Sequence, residues 1–219
     1  MTPRSLDHVA LWVANRDAMA EIATERLGLH TIQRTDTFTL LGADARRGKL
    51  TLFEAPEDVE GPRERGALKR IGLRVGSLER LEPRFELGEG LEVVLVEAET
   101  ESDFDLDHVA LVSPDPTAAA RAWEAYGFAP AGPNRVEVGG AYIELHAPDP
   151  DGGDPGSPER SLLNHIGVGG GAGGARPPPA PPAGAGAVRG PLPARAGGPG
   201  GGRGRRLRRR ASGSALRVR

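Results

Sequence analysis

The chain has 219 residues and a net charge of −2, a sum that hides two opposite parts: residues 1–160 hold all 30 acidic residues with 17 basic ones, net −13, and the remainder carries +11. With no cysteine in the chain, disulfides and thiolate metal sites are excluded; any metal must be held by histidine and carboxylate, and a reducing cytoplasm is the expected compartment. The N-terminus lacks the apolar core of a secretory signal. No apolar run approaches the roughly 18 residues of a membrane helix, so a soluble body without membrane contact is expected.

In chain order, the segment from Leu6 to Val13 alternates apolar and polar residues as a half-buried strand does. Asn15 then caps a predicted helix over Arg16 to Leu27 that stops at Gly28, and short strands follow, the last at Lys49 to Ala55. A second unit is degenerate: a strand over Ile71 to Val75, a short helix near Leu78 to Glu86 weakened by Pro83, and a strand over Leu91 to Val96. The third begins with a strand at Leu106 to Leu111, continues with a helix opened by Asp115-Pro116 and closed at Gly127, and ends with a strand at Ala141 to Ala147. A fourth strand starts at Asn164 to Val168.

These starts form a repeat. Leu6-Asp7-His8-Val9-Ala10-Leu11 recurs as Leu106-Asp107-His108-Val109-Ala110-Leu111, and the starts at Lys69 to Val75 and Asn164 to Val168 share its polarity, with a small residue (Ala10, Gly72, Ala110, Gly167) at one fixed place. Val9, Leu11 and Val13 take one face of their strand, as do Ile71, Leu73 and Val75, and Val109 and Leu111. His8, Arg70, His108 and His165 therefore share the opposite face, turned toward whatever the sheets enclose. Trp12 lies on the face of His8. Glu144 lies on a face with Tyr142 and His146. Trp123 on its alanine-rich helix reads as core, and His30 as a loop residue.

The twofold Leu-Asp-His-Val-Ala-Leu, each copy closed by a glutamate-bearing strand, resembles the vicinal oxygen chelate superfamily of glyoxalases, extradiol dioxygenases and bleomycin-resistance proteins. The resemblance spans about residues 5 to 168. It implies an α+β fold of βαβββ modules paired into curved mixed sheets, here with a first module pair over 1–104 and a third module plus a truncated fourth over 105–168. Four modules in a row look most like the two-domain extradiol dioxygenases, in which the second pair carries the metal. By position, that resemblance implies His108 and His165 as metal ligands; the carboxylate that such dioxygenases take from the last strand of module four is not recognisable, and Glu144 occupies the position that glyoxalases use for a further ligand. His146, on the Glu144 face, is the candidate acid-base group. Such a set suits Fe(II) or Mn(II), and leaves open positions for a small molecule with vicinal oxygens. A glyoxalase-like isomerase using Zn or Ni is the alternative enzyme, and a bleomycin-resistance-like binding protein the alternative without catalysis. His8 and Glu54 are the candidates in the first pair. Arg70 stands there where a partner histidine should be and cannot ligate a cation, so that pair reads as structural, or as a site for an anion at Arg70 and Arg74. A homo-oligomer is expected.

Residues 169–219 contain almost only Gly, Ala, Pro and Arg, with no acid or aromatic residue, and cannot form a core. A disordered tail is expected. Because the change falls inside the strand that opens the fourth module, we read it as an out-of-frame translation after about Val168. The competing reading is a genuine basic tail that contacts nucleic acid through phosphates alone.

Overall fold

The computed structural model describes residues 2–44, 49–56, 63–149, 160–170 and 215–216. The first module comprises β1 (Pro3–Val13), α1 (Arg16–Leu27), β2 (His30–Arg34), β3 (Phe38–Gly42) and β4 (Lys49–Glu54). The second has β5 (Leu68–Val75), β6 (Arg84–Gly88) and β7 (Leu91–Glu97). The third repeats the first with β8 (Phe104–Val112), α2 (Pro116–Tyr126), β9 (Ala129–Gly132), β10 (Arg135–Val138) and β11 (Ala141–His146). Then come β12 (Leu163–Gly170) and a two-residue β13 (Ala215–Leu216).

Both helices are capped as their sequences require. The Asn15 and Asp115 side chains accept hydrogen bonds from the backbone N–H of Ala18 and Ala118, and Gly28 and Gly127 end the helices at φ 68° and 112°, values that favour glycine. The helix expected near Leu78 to Glu86 is absent. Pro83 forbids its interior, and Phe85 and Leu87 alternate inward as β6, paired with β7. His30, expected in a loop, is an exposed residue of β2. Among the described residues no helix is long and apolar enough to cross a membrane.

Two mixed sheets result, in the orders β13-β12-β1-β4-β3-β2 and β6-β7-β5-β8-β11-β10-β9. The pairing differs from the expected one. The opening strand of module one runs antiparallel to that of module four, and module two pairs with module three. A division into a first pair over 1–104 and a second over 105–168 therefore does not describe the sheets. The chain crosses between them twice, and the two crossings are tied together: Leu162 N–H donates to Glu64 O (2.7 Å), and Glu64 N–H donates to Arg160 O (2.9 Å). A repeat states which strands are equivalent, and equivalence leaves the choice of partner open.

The apolar faces meet as foreseen. Val9, Leu11, Val13, Ile71, Leu73, Val75, Val109 and Leu111 are all buried in one apolar cluster with Met19, Ala23 and Leu27 of α1 and Ala120 and Trp123 of α2. Helix α1 also packs on β6 of the other sheet, where the Arg26 guanidinium lies 5.7 Å from the centre of the Phe85 ring.

One irregularity occurs twice. Opposite β12, Leu6 pairs with Val168 and His8 with Gly167, so Asp7 is an extra residue without a partner; opposite β5, Leu106 pairs with Leu73 and His108 with Gly72, so Asp107 is another. These β-bulges turn the aspartate and histidine of each motif toward the same side. The register also explains the fixed small residue. His8 faces Gly167 and His165 faces Ala10; His108 faces Gly72 and Arg70 faces Ala110. Each long polar side chain thus crosses a strand at a point that carries no side chain or only a methyl group.

The close approach is testable at the glycines, where a Cβ added at Gly72 would run into the His108 ring and one at Gly167 into the His8 ring. Gly72→Ala and Gly167→Ala should each cost about 1–3 kcal/mol through overpacking, read as a fall in thermal midpoint. Gly76→Ala, at a position open to solvent, should leave the midpoint unchanged.

Candidate functional site

The polar faces of the two sheets build two related constellations. In the first sheet the Nδ1–H of His8 donates to Asp7 Oδ2 at 2.7 Å, and Lys49 Nζ donates to Asp7 Oδ1 at 2.8 Å. Burial pushes the Asp7 carboxyl up, but the hydrogen bonds from His8 and then Lys49 outweigh it and hold the group below its ordinary range. The His165 Nδ1 lies 3.2 Å from Asn164 Oδ1. With its Nδ1 donating to Asp7, His8 presents Nε2 as an acceptor, and that atom stands 3.0 Å from His165 Nε2, at hydrogen-bond distance. The two ring nitrogens can share a hydrogen bond there, or turn both lone pairs to a cation.

Beside this pair stand three half-buried aromatic residues of the same sheet. The Phe53 ring centre lies 5.3 Å from Trp12, 5.8 Å from Phe38 and 6.4 Å from His165. Trp12, half-buried, lies on the histidine face, where strand alternation puts it. Parallel pairing of β1 with β4 sets Lys49, Thr51 and Phe53 beside His8, Ala10 and Trp12. Glu54 lies one residue out of phase, exposed, 3.6 Å from Arg16 Nε. It does not join His8, contrary to expectation, because strand alternation sends it to the other face.

In the second sheet the same parts recur with different chemistry. His108, buried, donates from Nδ1 to Asp107 Oδ2 at 2.8 Å, and Arg74 Nη2 donates to Asp107 Oδ1 at 2.9 Å. Burial raises the Asp107 carboxyl, yet the hydrogen bonds from His108 and Arg74 prevail and bring it to about 2. Tyr142 stacks on His108 with ring centres 4.9 Å apart at 14°, and Arg135 lies 3.4 Å over its other face. Burial first, then the charges of Asp107 and Glu144, push the Tyr142 hydroxyl up to about 12, so it stays neutral at ordinary pH. Arg70 joins the rest: its Nε–H donates to His108 Nε2 at 3.2 Å and its Nη2 to Glu144 Oε2 at 2.7 Å. His146 Nε2 lies 3.4 Å from the same Glu144 oxygen.

The three expected ligands are therefore divided. His108 and Glu144 lie in the second sheet with Arg70 between them, and His165 lies in the first sheet against His8. Among the described residues no group of three or more histidine, cysteine or carboxylate side chains is gathered as a metal site. His146 neighbours Glu144, as its strand face implied, and not the His8–His165 pair. Arg74, considered for an anion, is engaged by Asp107 and by the Gly140 carbonyl at 2.7 Å. Sequence reasoning passed over Asp7, Asp107, Lys49 and Asn164. The signal was present for the aspartates, which are part of the repeated hexapeptide.

No family model matches the sequence, and no curated protein matches it. Solved structures do. A proposed dioxygenase from Bacillus subtilis aligns at TM-score 0.54 with 16% identity, covering 76% of this chain and 70% of that one. Glyoxalase I from Zea mays aligns at TM-score 0.54 with 14% identity, covering 75% and 73%. These are vicinal oxygen chelate proteins, and the chain has their fold.

The depressed Asp107 carboxyl gives a signed pH dependence. Its folded value of about 2 lies below the ordinary 3.8, so the stabilisation is complete above about pH 4 and is lost as pH falls through 2. It amounts to about 2 kcal/mol. Asp107→Asn should reduce stability at neutral pH and flatten the acid limb between pH 4 and 2, measured by urea unfolding across that range.

Proposed function

We propose that this chain, with its vicinal oxygen chelate fold, holds a divalent metal ion, Fe(II) or Mn(II), between His8 and His165 and receives there a small molecule with two adjacent oxygens, as extradiol dioxygenases do. The observation that carries the reading is the convergence of two imidazole Nε2 atoms at 3.0 Å, each ring anchored through its other nitrogen. The donor set fits as a pair: borderline nitrogen ligands suit first-row divalent ions, Zn and Ni included. The set expected from the sequence, His108 with His165 and Glu144, does not fit, because Arg70 engages both His108 and Glu144.

Each residue around the pair has a task. Asp7 fixes the ring and tautomer of His8 so that Nε2 points inward, and Lys49 fixes Asp7. Asn164, 3.2 Å from His165 Nδ1, anchors the other ring. Trp12, Phe38 and Phe53 supply an apolar aromatic wall on which the ring of a catecholate would lie, with its oxygens toward the imidazoles. A bound ion would supply Lewis-acid polarisation of those oxygens and, if iron, the redox chemistry for dioxygen.

A second reading has its own support. Thr51 occupies, beside Ala10, the register position that Glu144 occupies beside Ala110. The first sheet thus offers two protein donors and no carboxylate, which favours ligand binding without turnover, in the manner of bleomycin-resistance proteins.

Anaerobic loading with Fe(II) or Mn(II), followed by metal analysis of the full chain, separates these readings. The proposal expects one equivalent in the unaltered protein, lost in His8→Ala and in His165→Ala and retained in His108→Ala. Oxygen uptake with catechols would support the oxygenase, and stoichiometric metal with catechol binding but no uptake the binding protein. No retained metal, or loss on His108→Ala alone, would sink the assignment.

A further inference from the structure

The second sheet brings two electron-rich groups together. The His108 Nδ1–H is given to Asp107, so Nε2 presents a lone pair; Glu144, two residues along from Tyr142 on the adjacent strand, presents a carboxylate. Arg70 stands opposite Ala110 as His165 stands opposite Ala10. From that place its guanidinium donates to both, at 3.2 Å to His108 Nε2 and 2.7 Å to Glu144 Oε2. His146 approaches the same oxygen at 3.4 Å. Arg70 and Glu144 have side chains only 20% and 24% exposed. Bringing a carboxylate and an imidazole lone pair together with so little water demands a positive charge, and removing one member of such a pair leaves the other uncompensated.

We propose that Arg70 is the resident cation of a second centre: its guanidinium permanently occupies the place between His108 and Glu144 that would otherwise take up a divalent metal ion of the zinc class. Nitrogen and carboxylate donors of this kind match zinc or cobalt(II). The guanidinium meets the same electrostatic demand without exchange, since it does not lose its proton in the working pH range. The two centres therefore divide the roles, one open to an exchangeable ion and one sealed by the chain itself. The sealed centre also clamps modules two and three together, because Arg70 belongs to β5 while His108 and Glu144 belong to β8 and β11.

The test uses the full chain and cobalt(II) or zinc(II) as probes. Arg70→His replaces the resident cation with a third donor. Relative to the unaltered protein, it should bind one further equivalent of cobalt(II), with the visible absorption of a tetrahedral or five-coordinate site. The extra equivalent should persist in a His8→Ala/His165→Ala background and disappear when Glu144→Gln is added. In that background the result is independent of whether the first sheet holds a metal. Arg70→Ala provides a second readout: its thermal midpoint should fall, and either zinc or a low concentration of guanidinium ion should raise it again, with no such rise in the parent. Folded variants that take up no extra metal and show no rescue would overturn the proposal. So would an Arg70→Ala protein as stable as its parent, or variants that remain insoluble with zinc supplied throughout.

Discussion

The structure depends on one recurring contact, a long polar side chain laid across the neighbouring strand where that strand carries no side chain or only a methyl group. His8 over Gly167, His165 over Ala10, His108 over Gly72 and Arg70 over Ala110 are four instances of it. In each antiparallel pair the arrangement is reciprocal, so two side chains from different modules lean toward a common point. The bulge at Asp7 and its copy at Asp107 complete the geometry by placing a carboxylate behind each histidine of the repeated motif. Orientation, tautomer and convergence of the imidazoles all follow from backbone register.

Given that frame, the two sites differ through few residues. One register position holds Thr51 in the first sheet and Glu144 in the second; another holds Lys49 and Tyr142, both neighbours of the motif aspartate. The opposing strand contributes His165 in one case and Arg70 in the other. The first combination brings two imidazole Nε2 atoms within 3.0 Å of each other. The second balances a lone pair and a carboxylate against a guanidinium. The two copies of the motif thus share a scaffold and differ in the charges at its centre.

Much of the fold was legible locally. Strand alternation gave the buried faces of β1, β5 and β8, the caps at Asn15 and Asp115 gave the helices, and a hexapeptide repeat with its fixed small residue marked β1 and β8 as equivalent strands. The failures have physical reasons. Near Leu78 to Glu86 a short helix weakened by Pro83 was expected; Pro83 bars its interior, and pairing with β7 makes Arg84–Gly88 a strand, β6. Glu54 and Glu144 each close a module in the sequence, yet a one-residue difference in phase sends the first outward. The expected tail, 169–219, lies outside the described residues except where Gly169 and Gly170 continue β12 and Ala215–Leu216 pairs with it.

The sequence by itself determined that the chain is built from repeated strand-led modules, which side chains share a polar face, and that any metal must rest on histidine or carboxylate. These are properties of periodicity and residue chemistry, and each is settled within a single strand or helix. Only the tertiary structure decided that module one meets module four and module two meets module three. With that choice His165 came to His8, and His108 came to Arg70. Strand partners are selected by packing across the whole chain, among edges that their own sequences leave nearly equivalent.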